Sequence, residues 1–299
     1  MTADKRRVFM LAALLFFVCM SSSVTASMPY IVVEAESGTV IKQSDADVPW
    51  YPASLTKMMT LYLTFQKLKN HDILLGSLLN VSDNAVRQPA VKLGVQSGEK
   101  ISVEKAIKAL STVSSNDVAV VLAEAISGSE EKFAEKMNAQ ARIMSMKDSF
   151  FKNATGLPDA EQISSARDMA ILARRLLLDF PEYYHYFSNR SLVHNGAVFV
   201  SHNGFLSAYP GADGFKTGYT CGSGYNLVAS ALHDGNRLIV VLFGAGSSGE
   251  RKKTVKKLMD QGFEMDSDAP GLPLLSLRGS VPVHLGAPSI IQGAHCQSL

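Results

Sequence analysis

Two short apolar, β-branched runs, Tyr30 to Ala35 and Thr39 to Lys42, flank Glu36-Ser37-Gly38 and predict a β-hairpin. From Pro52 to Leu68 the pattern changes. Leu55, Met58, Met59, Leu61, Tyr62, Leu63, Phe65 and Leu68 leave almost no polar stripe, so this segment reads as a helix buried on all sides. Helices are also predicted over Val103 to Leu110, Asp117 to Ile126, Glu130 to Met144 and Ala166 to Leu178, the third with Phe133, Met137, Ala141 and Met144 on one face. Near the other end, Asn226 to Leu232 and Arg237 to Phe243 are continuous apolar runs joined by His233-Asp234-Gly235-Asn236, the pattern of central strands around a tight turn. Arg251 to Gln261 then turns Val255, Leu258 and Met259 to one side, as a helix covering a sheet does. Strands at both ends with helices between them predict one sheet closed by distant parts of the chain. The expected fold is therefore a single α/β domain over 27–266, a mainly antiparallel sheet sandwiched by helices with an all-helical subregion. From 267 to 299 the chain carries four of its eleven prolines and reads as an extended tail, too short for a second domain.

The first residues change this picture. Lys5-Arg6-Arg7 precede an apolar stretch from Val8 to Met20, and small residues at Val24-x-Ala26 follow, which is the layout of a secretory signal peptide over 1–26. Thirteen apolar residues fall short of the roughly 20 that span a bilayer, so a periplasmic or secreted protein without a stable membrane anchor is expected. Removing the segment leaves only Cys221 and Cys296; one bridge between them is open to the chain, but with Cys296 in the tail two free thiols are expected. A net charge of +2, from 29 basic and 27 acidic residues, makes no case for nucleic acid as partner. The seven histidines and three cysteines show no metal-binding spacing, so no metal and no cofactor is expected.

Candidate chemistry begins at "YPASLTKMMT". Ser54 and Lys57 stand three apart and share a helical face. The bare spacing Ser-x-x-Lys occurs five times, at Ser54, Ser97, Ser102, Ser129 and Ser149, so spacing alone says little. Only at Ser54 does a buried helix follow. There a lysine is desolvated and its ammonium disfavoured, while a serine near the helix start lies among free N–H groups. Nucleophile and base is one reading; an N-cap serine with a snorkelling lysine is the other.

Two further motifs bear on the choice. Ser114-Ser115-Asn116 precedes an apolar helix, where a hydroxyl and an amide can face a neighbouring site or simply cap the helix. Lys216-Thr217-Gly218, the only such tripeptide in the chain, offers a charge, a hydroxyl and an open strand edge for a substrate backbone. The three motifs occur in this order, separated by 114 − 54 = 60 and 216 − 114 = 102 residues. Together with "NATGLPD", "SSARDMA", "GYNLVASA" and "GAGSSGERKK", they make the chain resemble, from about Tyr30 to Phe263, the penicillin-recognising serine hydrolases and, among these, the D-alanyl-D-alanine carboxypeptidases. The resemblance implies that Ser54 attacks the carbonyl between two terminal D-alanines of a peptidoglycan stem peptide, or a β-lactam antibiotic, to form an acyl-enzyme. It implies Lys57 as general base, Ser114 as proton relay and Asn116 as orienting amide. Lys216, Thr217 and Arg251 would hold the terminal carboxylate, with Gly218 and Tyr219 beside the scissile bond and the N–H groups of Ser54 and Tyr219 forming the oxyanion hole. Tyr219 stands where these enzymes commonly carry histidine. A β-lactamase of the commonest class would need a Glu-x-x-x-Asn loop, and Glu161 is followed by "QISS" instead. A DD-endopeptidase uses the same chemistry, and a binding protein would keep the pocket without turnover.

Overall fold

The computed structural model describes residues 28–265 and 271–276; the expected signal segment 1–26 and most of the tail 267–299 lie outside the described residues. Six strands form the main sheet: β1 (Tyr30–Glu34), β2 (Thr39–Ser44), β7 (Ala212–Thr220), β8 (Gly224–His233), β9 (Asn236–Ala245) and β10 (Leu272–Pro273), in the order β10-β2-β1-β9-β8-β7. Every pairing in it is antiparallel, as expected. The two predicted hairpins are β1–β2 and β8–β9, and they are joined edge to edge by β1 and β9, with Val32 opposite Val240. The tail contributes β10, which adds Leu272 opposite Val40 and buries Leu274.

The apolar runs of the central strands follow from burial on both faces. Ile31, Val33, Val228, Ile239, Val241 and Phe243 point into the larger core, shared with α1 (Lys57–Lys69) and α6 (Ala166–Asp179). Their alternate neighbours Val32, Leu227, Ala229, Leu238, Val240 and Leu242 point to the other side, where Val255, Leu258 and Met259 of α8 (Ser248–Glu264) cover them. Each such side chain contributes about 1.5–3 kcal/mol on leaving water.

The segment between the hairpins is mostly helical. α3 (Val103–Val113), α4 (Asn116–Ser127) and α5 (Glu130–Ile143) pack against α1, whose Met58, Met59, Leu61, Tyr62, Phe65 and Leu68 are all buried, and α2 (Asp83–Arg87) packs on α4. The predicted helix start at Pro52 is corrected: Ala53–Thr56 form a 3-10 turn, and the α-helix begins at Lys57. Elements without a sequence signal complete the chain: the ribbon β3 (Leu78–Asn80) with β4 (Lys100–Ser102), the ribbon β5 (Ser191–His194) with β6 (Ala197–Val200), the 3-10 segment Pro181–Ser188 and the single turn α7 (Phe205–Ala208). No helix among the described residues is long and apolar enough to cross a membrane.

Candidate active site

Ser54 sits in the 3-10 turn, held from three sides. Asn226 on β8 donates to Tyr51 O at 3.0 Å and Pro52 O at 3.4 Å, and its own Oδ1 accepts from Gly244 N at 3.0 Å, so one buried amide ties the turn to two strands. Trp50 Nε1 donates to Ser223 O at 2.8 Å. Gly156, at φ +83°, lies so close that a Cβ there would stand 1.9 Å from Ala53 O and 2.9 Å from Ser54 N. Gly218 on the edge strand β7 approaches from the opposite side; a Cβ on it would be 2.9 Å from Pro52 O and 3.2 Å from Ser54 N. A larger residue at either position would push on the peptide group of Ser54.

Lys57, the first residue of α1, is 0 % exposed. Its Nζ lies 3.2 Å from Ser54 Oγ and 2.7 Å from Asn116 Oδ1, and it also donates to Thr155 O. The capping reading of Ser54 fails, since the hydroxyl makes no cap bond, and so does the snorkelling reading of the lysine. The other four Ser-x-x-Lys pairs have ordinary explanations. Ser102 and Ser129 cap α3 and α5 by accepting from Lys105 N and Lys132 N, while Ser97 bonds Asp83 and Ser149 bonds Asp168.

Burial, and after it the charge of Lys216, drives the Lys57 pKa well below its ordinary value, with Asp117 and Glu130 pulling weakly the other way. Neutral lysine has two N–H bonds and one lone pair. With the hydrogens directed to Asn116 Oδ1 and Thr155 O, the lone pair faces Ser54 Oγ, the arrangement a base needs to take its proton. Asn116 is itself fixed, donating from Nδ2 to Pro89 O at 3.0 Å and from its backbone to Val91 O at 2.7 Å. That loop is held by buried Asp117, which accepts from Leu93 N and Gly94 N. Ser114 ends α3 in the left-handed region, φ 66°, with its Oγ buried and free of any hydrogen bond among the described residues.

On β7, Lys216 is buried and donates to Thr217 O at 3.0 Å. Its pKa falls to about 7, through burial first and the nearby Arg251 second. Arg251, in the first turn of α8, donates to Asn226 O at 3.3 Å, leaves Nε without a hydrogen-bond partner among the described residues, and lies 5.7 Å above the Tyr225 ring. Thr217 is buried, whereas the Tyr219 side chain is 45 % exposed and packs at a tilt against Tyr225. His202 borders the same cationic end; burial, then Lys216, Arg251 and Lys57, lower its pKa. Sequence reasoning singled out neither His202 nor the two bracing residues Asn226 and Gly156. "NATGLPD" and "GYNLVASA" contained the last two, but nothing in their spacing announces an amide that reaches across the sheet or a contact closed to any Cβ.

Two sequence expectations meet the structure here. Cys221, after β7, is disulfide-bonded, so it is not the free thiol expected; Cys19 and Cys296 lie outside the described residues. Glu161 is exposed and paired with Lys152 at 2.8 Å. Among the described residues no group of three or more His, Cys, Asp or Glu side chains converges as metal ligands do.

The chain has relatives among known proteins. Residues 18–247 match the peptidase S11 family, described as D-alanyl-D-alanine carboxypeptidase. The D-alanyl-D-alanine carboxypeptidase DacF of Bacillus subtilis is 35% identical over 245 residues, 80% of this chain and 63% of the relative, so the chain spans somewhat under two thirds of that protein's length. DacD of Escherichia coli is 32% identical over 277 residues, 86% of this chain and 71% of the relative. The crystal structure of penicillin-binding protein 5 from Haemophilus influenzae superposes with a TM-score of 0.76 at 36% identity, over 79% of this chain and 70% of that one. Penicillin-binding protein D2 from Listeria monocytogenes, in its ampicillin-bound form, gives 0.72 at 30% identity, over 79% of this chain and 96% of that one. With the family match running over 18–247 and these relatives and structures at 30% identity or more, the chain belongs to the peptidase S11 family of D-alanyl-D-alanine carboxypeptidases.

Proposed function

We propose that the protein is a serine-type D-Ala-D-Ala carboxypeptidase that removes the terminal D-alanine from peptidoglycan stem peptides and is acylated by penicillins. The observation that carries the reading is the buried Lys57 amine 3.2 Å from Ser54 Oγ, its two other contacts being neutral acceptors. Lys57 takes the Ser54 proton as Oγ attacks the carbonyl between the two D-alanines. The tetrahedral oxyanion is met by the Ser54 and Tyr219 N–H groups; donors of this kind contribute roughly 3–4 kcal/mol each in comparable acyl transfers. Ser114, whose hydroxyl has no hydrogen-bond partner among the described residues, passes a proton to the leaving amine. D-alanine departs, and water hydrolyses the ester to restore the serine. Lys216, Thr217 and Arg251 hold the terminal carboxylate, and it is the anion that draws a proton onto Lys216.

Residues 1–26 act as an export signal, and the mature protein works at the cell wall outside the cytoplasm. Incubation with a stem pentapeptide, followed by mass spectrometry, tests the activity: loss of one D-alanine supports it. Cutting only cross-linked dimers would make the protein an endopeptidase, and turnover of penicillin without action on peptides would make it a β-lactamase. Ser54→Ala should abolish both peptide cleavage and labelling by a fluorescent penicillin.

A further inference from the structure

The Thr155 carbonyl that takes one Lys57 hydrogen belongs to a loop, and a loop carbonyl keeps its aim only where its backbone is braced. Two helices brace this one. Thr60, one turn after Lys57 on α1, donates to Ala154 O at 2.7 Å, and Ala154 N donates to Glu130 Oε1 at 2.9 Å. Glu130 is the first residue of α5, where a carboxylate ordinarily lies over the helix's own free N–H groups. That place is filled by the exposed Glu131, held by its own N–H and by Ser129, while Ser129 caps the helix by accepting from Lys132 N at 3.3 Å. Glu130 turns instead to the loop.

The carboxylate is half-buried there. Burial raises its pKa, the Ala154 N–H lowers it, and Glu131, Glu124 and Lys57 act more weakly from around it. A bond from a backbone N–H to a carboxylate is stronger than one to a neutral acceptor. About two turns further along α5, Asn138 fastens the start of the loop, accepting from Phe151 N at 2.7 Å and donating to Phe151 O at 2.8 Å. α5 thereby sets where the loop lies relative to α1, and Glu130 is its tie nearest the lysine's acceptor.

Resting on the carboxypeptidase reading, we propose that Glu130 is a positioning residue for acylation: by holding Ala154 N it fixes the Ala154–Thr155 peptide, keeps one Lys57 hydrogen on Thr155 O, and so leaves the amine lone pair facing Ser54 Oγ. It acts through the backbone and touches neither the nucleophile nor the substrate. Without it the peptide can turn and the amine follows, which slows the chemical step and leaves binding as it was.

The test is saturation of acylation by benzylpenicillin, which separates the acylation rate constant from the dissociation constant of the complex that precedes it. Glu130→Ala should lower the rate constant roughly ten- to thirtyfold, short of the 100-fold that a full ångström of misplacement brings, with the dissociation constant unchanged. Glu130→Gln, whose carbonyl oxygen still accepts from Ala154 N, should restore it to within about threefold of the native value. Glu131→Ala, the same deletion one residue on, should match the native protein. Scaling each rate to the final stoichiometry of labelling removes any unfolded fraction. A rate constant in Glu130→Ala within threefold of native, a Glu130→Gln variant as slow as Glu130→Ala, or a loss carried by the dissociation constant overturns the inference while leaving the carboxypeptidase reading intact. If the native protein is not acylated at all, that reading falls and this inference with it.

Discussion

Replacing Gly156 by alanine perturbs the nucleophile without touching a catalytic side chain. At φ +83° an L-residue costs about 1–2 kcal/mol. The new Cβ would also stand 1.9 Å from Ala53 O, where real Cβ atoms stay beyond 3.0 Å, so the loop and the 3-10 turn must part by 3.0 − 1.9 = 1.1 Å. Both sides of that contact are tied down: Gly156 N donates to Asn153 Oδ1 at 2.7 Å, and the turn is held by Asn226. The shift therefore falls partly on Ser54, and a displacement near 1 Å costs on the order of 100-fold in rate. Gly128→Ala separates strain from displacement, for Gly128 has almost the same angle, φ +82°, and nothing within 4 Å of its Cβ position. Gly128→Ala should lower Tm by about 2–4 °C per kcal/mol of strain and leave acylation by benzylpenicillin unchanged. Gly156→Ala should lower Tm further and slow acylation roughly 100-fold. Acylation by Gly156→Ala within twofold of the native rate, alongside a normal Gly128→Ala control, would refute the idea that this contact positions Ser54.

Asn116→Ala removes the Lys57 acceptor and leaves Pro89 O unpaired, a loss of about 2–3 kcal/mol; labelling by a fluorescent penicillin should slow by roughly 30- to 100-fold, and a change under threefold would refute its role in aiming the amine. Asn226→Ala strands Tyr51 O and Gly244 N, and should cost about 2–4 kcal/mol in urea unfolding while also slowing acylation. The pH dependence of stability reports on Lys216. Its folded pKa, about 7, lies below the 10.5 of the unfolded chain, so between these values the unfolded state binds more protons and stability rises with pH. Lys216→Met should flatten the stability curve between pH 7.5 and 9.5 by about 1.4 kcal/mol per unit, measured by urea unfolding; an unchanged slope would mean that Lys216 keeps its proton when folded. For the substrate, the same titration predicts that KM rises above about pH 7 as Lys216 loses its charge, and that Lys216→Arg removes this rise.

The sheet was legible because its central strands are apolar on both faces, and α1 because it has no polar stripe; burial writes itself into composition. The ribbons β3–β4 and β5–β6 left no such trace. β5–β6 exposes Val193, Val198 and Val200, so alternation carries no information about an inside. The 3-10 turn at Ala53 was read as helix because its residues are helix-compatible; what unwinds it is the packing of Gly156 and Gly218 on either side, which involves residues more than 100 positions away. In the site, side chains with distinctive chemistry could be found by motif. The contributions of Thr155 O, Pro89 O and the free edge of β7 are backbone groups, for which residue type gives no sign.

The pairing of β1 with β9 also bears on when the protein becomes reactive. Val32 and Val240 are 240 − 32 = 208 residues apart, and Lys57 is desolvated only once Asn116, the 153–156 loop and β7 have gathered around it. A chain grown only as far as α6 has Ser54, Lys57, Asn116 and the 153–156 loop, but not β7, whose Gly218 closes on the Ser54 turn and whose Lys216 charge helps to hold the Lys57 pKa down. Synthesis of the last hairpin thus comes before completion of the site: the surroundings of Ser54 and Lys57 are finished only when β7 joins the sheet.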